Sequence, residues 1–116
     1  VKLYGYSNNI HPLIAEHEAL IVSSLREGGP YTLAETLLLE RPVIGTNVGM
    51  MSEFIPTEFL CEPNNILALQ KLIQNYLKIS DPESSFKTAY VLAQEQLTFT
   101  KMIDHTVQVY QSLFSV

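Results

Sequence analysis

Two glutamates flank a glycine-rich turn, and they are the residues whose type and spacing are best suited to chemistry. The stretch REGGPYTLAE, residues 26–35, places Glu27 in the turn and Glu35 in the helix predicted after it. The apolar run ALIV, residues 19–22, comes just before the turn and is typical of a strand buried on both faces. The turn therefore connects a strand to a helix, with one carboxylate on each side.

The start of the predicted helix is a candidate anion-binding end. Gly28 and Gly29 are expected to take backbone angles that other residues avoid, and Pro30 suits the first helical position. Three backbone N–H groups are expected to lack partners there: those of Tyr31, Thr32 and Leu33. Together with the helix dipole they favour a negative charge. Ligands of open α/β sheets bind outside the carboxyl ends of the strands, which is where this turn lies.

The spacing of the two glutamates predicts that they face one ligand. Glu35 lies one helical turn after Tyr31, and helical side chains lean toward the N-terminus. A carboxylate can accept hydrogen bonds from neighbouring hydroxyls of a ribose or hexose, so the pair suits a molecule with a central diphosphate, such as a nucleotide sugar. The alternative is structural, because a glutamate near a helix start often only caps the helix or balances its dipole. Spacing alone favours that structural interpretation.

The order of residues around the turn adds a resemblance. Residues 23–53, SSLREGGPYTLAETLLLERPVIGTNVGMMSE, contain five marks in sequence: Glu27, Glu35, Pro42-Val43-Ile44, Asn47-Val48-Gly49 and Glu53. This ordered set resembles the donor-domain signature of retaining glycosyltransferases with the two-Rossmann GT-B fold, of the family-4 (group 1) type. The upstream LYGYSNNIHPLIAEHEALIVSS resembles the same family's glycine-containing strand, short helix and apolar strand. The resemblance covers residues 1–62 and identifies the later half of the C-terminal nucleotide-sugar donor-binding domain.

The resemblance implies a role for each matched residue. Glu27 would be catalytic and lie against the hydroxyls of the transferred sugar, and Glu35 would bind the nucleotide ribose. The remaining donor-binding positions would be Gly28, Gly29, Tyr31 and Thr32, with backbone N–H groups facing the sugar and diphosphate. A nucleotide-side role is implied for Asn47, Gly49 and Glu53, although Glu53 equally suits a cap on the next short helix. The implied reaction is metal-independent transfer from a nucleotide sugar with retention, and no cofactor is expected.

Two residues depart from the family's signature. Glu40 stands where a glycine is usual before the Arg-Pro-Val strand, and Met50 replaces a common second glycine. The basic residues that usually hold the diphosphate, and the N-terminal domain that would bind a polysaccharide, lipid-linked or other glycan acceptor, lie outside this sequence. The fragment alone is therefore expected to be inactive. These departures leave an alternative open, a non-catalytic α/β interaction module that keeps the fold.

Composition limits the other possibilities. The 116 residues carry a net charge of −5, with seven basic and twelve acidic side chains, which argues against nucleic-acid binding. Cys61 is the only cysteine, so a reducing compartment is expected, which predicts a cytoplasmic protein. A peripheral position at the inner face of a membrane is the alternative left open. The three histidines His11, His17 and His105 lack the compact spacing of a metal site.

The chain is predicted to be one partial α/β domain, with a Rossmann-like parallel sheet of three to four strands, flanking helices and a C-terminal helical tail. Residues 1–62 form the α/β part and residues 63–116 the tail. Strands are predicted over residues 1–6, 19–22, 42–45 and 59–61. Helices are predicted over residues 12–17, 30–40, 66–78 and 84–97, and after a cap at Thr100. The first strand is expected to expose an edge open to self-association.

Overall fold

Three short apolar runs form a parallel sheet. The computed structural model describes residues 2–114. Its strands are β1 (Leu20–Val22), β2 (Val43–Thr46) and β3 (Leu60–Cys61), in the order β1-β2-β3. Ile21 pairs with Ile44, and Thr46 pairs with Cys61. Every residue of β2 is buried, because this strand has a neighbour on both sides. The predicted parallel α/β sheet with flanking helices is confirmed.

Seven helices and one 3-10 turn surround the sheet in residues 2–114. They are α1 (His11–Ala15), α2 (Tyr31–Leu38), α3 (Met51–Phe54), the 3-10 turn Thr57–Phe59, α4 (Ile66–Tyr76), α5 (Pro82–Ser85), α6 (Lys87–Gln96) and α7 (Phe99–Phe114). Helices α2 and α4 pack on β2, and α6 packs on α2. Leu33 and Leu37 of α2 and Phe86 are fully buried. One hydrophobic core therefore joins the sheet to α2, α4 and α6.

The strand predicted over residues 1–6 does not form where the structure describes it. Residue 1 lies outside the described residues, and residues 2–6 belong to no strand. Gly5 has a φ of +66°, and the side chains of Leu3 and Tyr6 are 91% and 92% exposed. This segment has no strand beside it to satisfy its backbone groups, so apolar content alone does not make it extended. The edge of the sheet on this side is β1.

The helix predicted over residues 84–97 is divided in two. Asp81 caps α5, since its Oδ1 accepts from the backbone N–H of Ser84 at 3.3 Å. Phe86 then separates α5 from α6 and places its ring in the core, 4.6 Å from the ring centre of Phe59. Insertion of this large ring between the two helices accounts for the division. In α4, Ile66 is exposed rather than packed, and Leu72 occupies the core instead.

Helix α7 lies outside the core. None of its residues is buried, and its predicted apolar stripe is exposed along its length: Ile103, Val107, Tyr110 and Phe114. The predicted cap at Thr100 is wrong, because the N–H of Lys101 donates to the hydroxyl of Thr98 at 3.3 Å. Within residues 2–114, no helix is both long and apolar enough to cross a bilayer.

Glu40 ends helix α2 in the conformation that glycine prefers. Its φ is +53°. The N–H of Glu40 donates to the carbonyl of Leu37, and that of Arg41 donates to the carbonyl of Thr36, each at 3.0 Å. This pair of bonds is a Schellman motif, in which the left-handed position is usually glycine. The helix therefore ends as a glycine would end it, and Glu40 bears the steric cost.

We expect Glu40→Gly to raise the free energy of unfolding by about 1 kcal/mol, because glycine adopts this left-handed conformation without a Cβ clash. Urea unfolding followed by circular dichroism measures the change. Asn64→Gly is the matched control, because Asn64 also has a positive φ of 59° but asparagine tolerates it well. An equal or larger gain in the control would contradict the explanation.

Tyr90 places a hydroxyl in the core without a hydrogen-bond partner among the described residues. Burial raises the pKa of this phenol well above its ordinary value, and the nearby carboxylate of Glu83 adds to the effect. Burial also raises the pKa of Tyr76, whose hydroxyl is likewise unpaired within residues 2–114. Neither phenol is suited to proton transfer near neutral pH.

A raised folded-state pKa makes stability depend on alkaline pH. Below about pH 10, the pKa of tyrosine in the unfolded chain, the phenol is protonated in both the folded and the unfolded state, so the free energy of unfolding does not change with pH. Above that pH the phenol ionises readily only in the unfolded state, so stability is lost. We expect Tyr90→Phe to be neutral or stabilising by up to about 1 kcal/mol at pH 7, since it removes an unpaired buried hydroxyl. It should also reduce the loss of stability between pH 9 and about pH 11.

Denaturant unfolding at several pH values checks this expectation. Tyr110→Phe is the control, because the Tyr110 side chain is 61% exposed. A loss of stability in Tyr90→Phe at pH 7, or an unchanged alkaline profile, would show that the hydroxyl has a partner.

Candidate functional site

The turn between β1 and α2, residues 23–30, is called the elbow below. Its beginning is tied to the centre of the sheet by Thr46, the last residue of β2. The buried Thr46 hydroxyl donates to the backbone carbonyl of Ser24 at 2.7 Å. The elbow therefore starts from a fixed point at the carboxyl end of the strands, as the sequence predicts.

Glu27 is held within the elbow by a neighbour three residues earlier. The hydroxyl of Ser24 donates to Oε1 of Glu27 at 2.7 Å. The glutamate is otherwise exposed, so Oε2 and the remaining lone pair of Oε1 face solvent and are available to a ligand. Ser24 was not among the predicted site residues, although its position three residues before a glutamate is a local signal.

The loop between β2 and α3, residues 47–50, packs directly against the elbow. Gly49 has a φ of +54°, and a Cβ placed on it would lie 2.7 Å from the carbonyl oxygen of Glu27 and closer still to that of Gly28. Only glycine permits this approach. The loop thus packs against the backbone of Glu27 and Gly28 in the elbow.

The glycines of the elbow do not take the unusual backbone angles that the sequence predicts. Neither Gly28 nor Gly29 has a positive φ, so unusual backbone angles are not what they provide. Gly28 has open space around its missing Cβ, whereas a Cβ on Gly29 would lie 2.8 Å from Sδ of Met50. A larger residue at position 29 would therefore require the flexible Met50 side chain to move.

The start of α2 offers two backbone donors rather than three. Pro30 is the N-cap rather than the first helical residue, so α2 begins one residue later than predicted. Pro30 provides no capping side chain. The N–H of Leu33 donates to the carbonyl of Pro30 at 3.0 Å, so the prediction that this amide is free is wrong. The N–H groups of Tyr31 and Thr32 make no hydrogen bond with any residue between 2 and 114. They remain available to an anion, with the helix dipole behind them.

Glu35 is positioned by a residue distant in sequence. Oε1 of Glu35 lies 3.1 Å from Nε2 of His11, the first residue of α1. The glutamate side chain is 32% exposed, against 59% for the histidine. His11 and Glu35 are 24 residues apart, so no local sequence pattern indicates that they pair. On the sequence alone, His11 is therefore considered only as a metal ligand. Oε2 makes no hydrogen bond with any residue between 2 and 114.

The predicted nucleotide-side residues follow β2. The N–H of Asn47 donates to the carbonyl of Cys61 at 2.8 Å, and the Asn47 side chain is exposed. Glu53 lies inside α3, whose N-cap is Met50 without a side-chain bond, so the capping interpretation of Glu53 is wrong. Burial, and then Glu62, raises the pKa of the half-buried Cys61, so its thiol is not activated as a nucleophile.

No group of three or more His, Cys, Asp or Glu side chains within residues 2–114 is arranged to hold a metal ion. The metal independence implied by the resemblance stays a prediction.

A family model for group 1 glycosyl transferases matches residues 1–91. The chain belongs to this family. The match extends well beyond the signature region, through β3 and α4 into α6. A search of curated protein sequences gives no match.

Two solved structures share the fold. A glycosyltransferase from Rickettsia africae ESF-5 is 22% identical in sequence and superposes with a TM-score of 0.84. The match covers 98% of this chain and 32% of that protein. A sucrose-phosphate synthase from Thermosynechococcus elongatus is also 22% identical in sequence and superposes with a TM-score of 0.76. The match covers 91% of this chain and 28% of that protein. Together with the family match, they confirm the resemblance to GT-B glycosyltransferases. The chain spans about a third of the length of these proteins.

We expect Gly49→Ala to destabilise the chain by about 2 kcal/mol or more, because the new Cβ would collide with the carbonyls of the elbow at a strained φ. Gly28→Ala is the matched control in the same site, since nothing lies within 4 Å of its Cβ position and its φ is not positive. Thermal unfolding compares the two variants. Equal stability would show that the loop and elbow are not in close contact.

Proposed function

We propose that this chain is the donor-binding portion of a retaining, family-4 type glycosyltransferase that transfers a hexose-type sugar from a nucleotide sugar without a metal ion. The observation that supports this most is the elbow itself. In the sequence, the unpartnered amides of Tyr31 and Thr32 stand between Glu27, which accepts a hydrogen bond from Ser24, and Glu35, which pairs with His11. Family membership makes sugar transfer the relevant chemistry.

The diphosphate would bind at the start of α2. The amides of Tyr31 and Thr32 point out of the helix with the positive end of its dipole, and Gly29 adds a third N–H in the elbow. When the bond between the anomeric carbon and the phosphate oxygen breaks, negative charge grows on the diphosphate. Donors that are already in place stabilise that charge without reorganisation, which is the largest contribution a site of this kind makes to rate.

The two glutamates would hold the ends of the donor. Glu27 would accept hydrogen bonds from hydroxyls of the transferred sugar through the oxygen that Ser24 does not occupy. Glu35 would bind the ribose hydroxyls through Oε2, while His11 keeps Oε1 in place. Asn47, Gly49 and Glu53 would lie on the nucleotide side. Hydrogen bonds to charged groups are worth roughly 1.5–3 kcal/mol each, so these two anchors would contribute much of the affinity.

The remaining features of the whole protein are also proposals. The acceptor, a polysaccharide, lipid-linked or other glycan, would bind to the N-terminal domain, and the basic diphosphate clamp would come from the earlier half of the donor domain. The isolated chain would therefore be inactive. A cytoplasmic location with peripheral association at the inner face of a membrane fits an acceptor presented there, and self-association through the edge of β1 would follow if nothing else covers it.

A non-catalytic interaction module remains the second candidate, and one observation favours it. The Met50 side chain lies across Gly29 and occupies space beside the amides where a donor would bind. Glu40 no longer supports this alternative, because α2 ends with the Schellman motif that a glycine would also form.

The two functions predict different results for the full-length protein. Glu27→Gln should lower kcat by roughly a hundredfold or more, and Glu35→Ala should weaken nucleoside diphosphate binding by about tenfold or more, because it removes a charged hydrogen-bond acceptor. Steady-state kinetics and titration calorimetry measure the two effects. Glu58→Gln, an exposed glutamate in the 3-10 turn, is the control. Transfer at the wild-type rate in both site variants would refute the proposed roles.

A further inference from the structure

A cavity of about 370 Å³ lies beside the elbow, and the predicted donor contacts leave it unused. It is enclosed by the end of the elbow and the first turns of α2 on one side, and by the end of α6 and the first half of α7 on the other. Six residues form most of its wall: Gly29, Pro30, Met50, Leu97, Met102 and His105. It is called the elbow cavity below.

The elbow cavity is continuous with the proposed donor site. Gly29, Pro30 and Tyr31 line it, and the same residues form the amide-bearing start of α2. A donor whose diphosphate binds the amides of Tyr31 and Thr32 would lie beside this cavity. The Tyr31 ring, 86% exposed, stands at the rim.

The wall of the cavity is apolar and carries no acidic side chain, lysine or arginine. The side chains of Pro30, Ala34, Met50, Leu97 and Met102 provide the apolar surface. Methionine adapts to irregular ligand shapes because its side chain is unbranched and flexible. A carboxylate or phosphate on the ligand would lose its hydration here without gaining a lysine or arginine partner, which is costly.

Three polar side chains complete the lining, and they come from α6 and α7: Gln96, His105 and Thr106. The side chains of Gln96 and His105 make no hydrogen bond with any residue between 2 and 114. Thr106 donates to the carbonyl of Met102 at 2.8 Å, which leaves its oxygen free to accept. The cavity thus offers both donors and acceptors to a neutral polar group.

We propose that the elbow cavity receives the acetamido group of the transferred sugar, so that the preferred donor carries an N-acetylated amino sugar. This inference rests on the proposed function. The methyl of the acetamido group would contact Met50, Met102 and Leu97, and its N–H and C=O would pair with Gln96, His105 or Thr106. The volume is near the lower end of small-molecule sites, about 300–1,000 Å³, and suits a sugar substituent rather than a long lipid chain.

Titration calorimetry on the full-length protein tests the inference in two steps. UDP, ADP and GDP are first compared, to establish which nucleoside diphosphate binds. The glucose and N-acetylglucosamine derivatives of the best nucleotide are then compared. We expect the N-acetylglucosamine derivative to bind about tenfold more tightly, the size of effect that one well-packed methyl group provides.

The outcomes separate the two proposals. If no nucleoside diphosphate binds, the proposed function is refuted, and this inference with it. If a nucleoside diphosphate binds but the glucose derivative binds as tightly as the N-acetylated one, only the inference is refuted.

A variant that fills the cavity assigns the preference to this place in the fold. Thr106→Phe should reduce the tenfold preference to less than about threefold, because the ring would occupy the space of the acetamido group. Gln108→Phe, an exposed residue of the same helix that does not line the cavity, should keep the full preference. Circular dichroism confirms that both variants fold. A folded Thr106→Phe variant with unchanged preference would overturn the assignment.

A spectroscopic measurement provides a second readout that does not depend on a substitution in the cavity. With the methionine methyl groups labelled with ¹³C, the N-acetylated donor should shift the signals of Met50 and Met102 more than the glucose donor does. Met51 is the internal control, because it is fully buried in the core and does not line the cavity. Equal shifts from both donors would contradict the proposed contact.

Discussion

The close approach of two loops at the carboxyl end of the sheet is the constraint on which the site depends. Gly49 brings the loop after β2 against the backbone of Glu27 and Gly28, and Thr46 ties the start of the elbow to the central strand. The Gly49 contact is made by backbone atoms, so no side-chain rotation loosens it, and the Thr46 side chain that makes the second contact is buried. The elbow is therefore rigid before any ligand arrives, and the amides of α2 are presented in a fixed direction. Preorganisation of this kind is what electrostatic stabilisation requires.

Much of the architecture and the position of the candidate site can be predicted from the sequence. Three apolar runs separated by helical periods define the parallel sheet, and the ordered set from Glu27 to Glu53 identifies the family. The interactions that orient the carboxylates are harder to predict. The contact between His11 and Glu35 joins residues 24 positions apart, and it exists only because α1 and α2 pack together. The backbone angles expected at Gly28 and Gly29 are wrong, since the presence of a glycine does not by itself show that it adopts a positive φ.

The remaining errors share one physical cause. An apolar period shows that a face avoids water, but it does not identify the partner that covers it. Residues 2–6 are apolar enough for a strand but have no neighbour in the sheet, and the apolar stripe on α7 contains no buried side chain. Phe86 shows the reverse case, where a residue of a predicted continuous helix is placed deep in the core and divides the helix.

The position of α7 has a thermodynamic consequence for anything that binds between it and the elbow. A 16-residue helix without a buried side chain is only marginally stable in water, because tertiary packing normally supplies most helical stability. The segment that brings Met102 and His105 to the elbow cavity is therefore the least anchored wall of that cavity. Part of the favourable binding enthalpy of a ligand in this cavity would be offset by the conformational entropy lost when α7 is immobilised. The measured affinity would therefore be lower than the ligand's contacts alone would give.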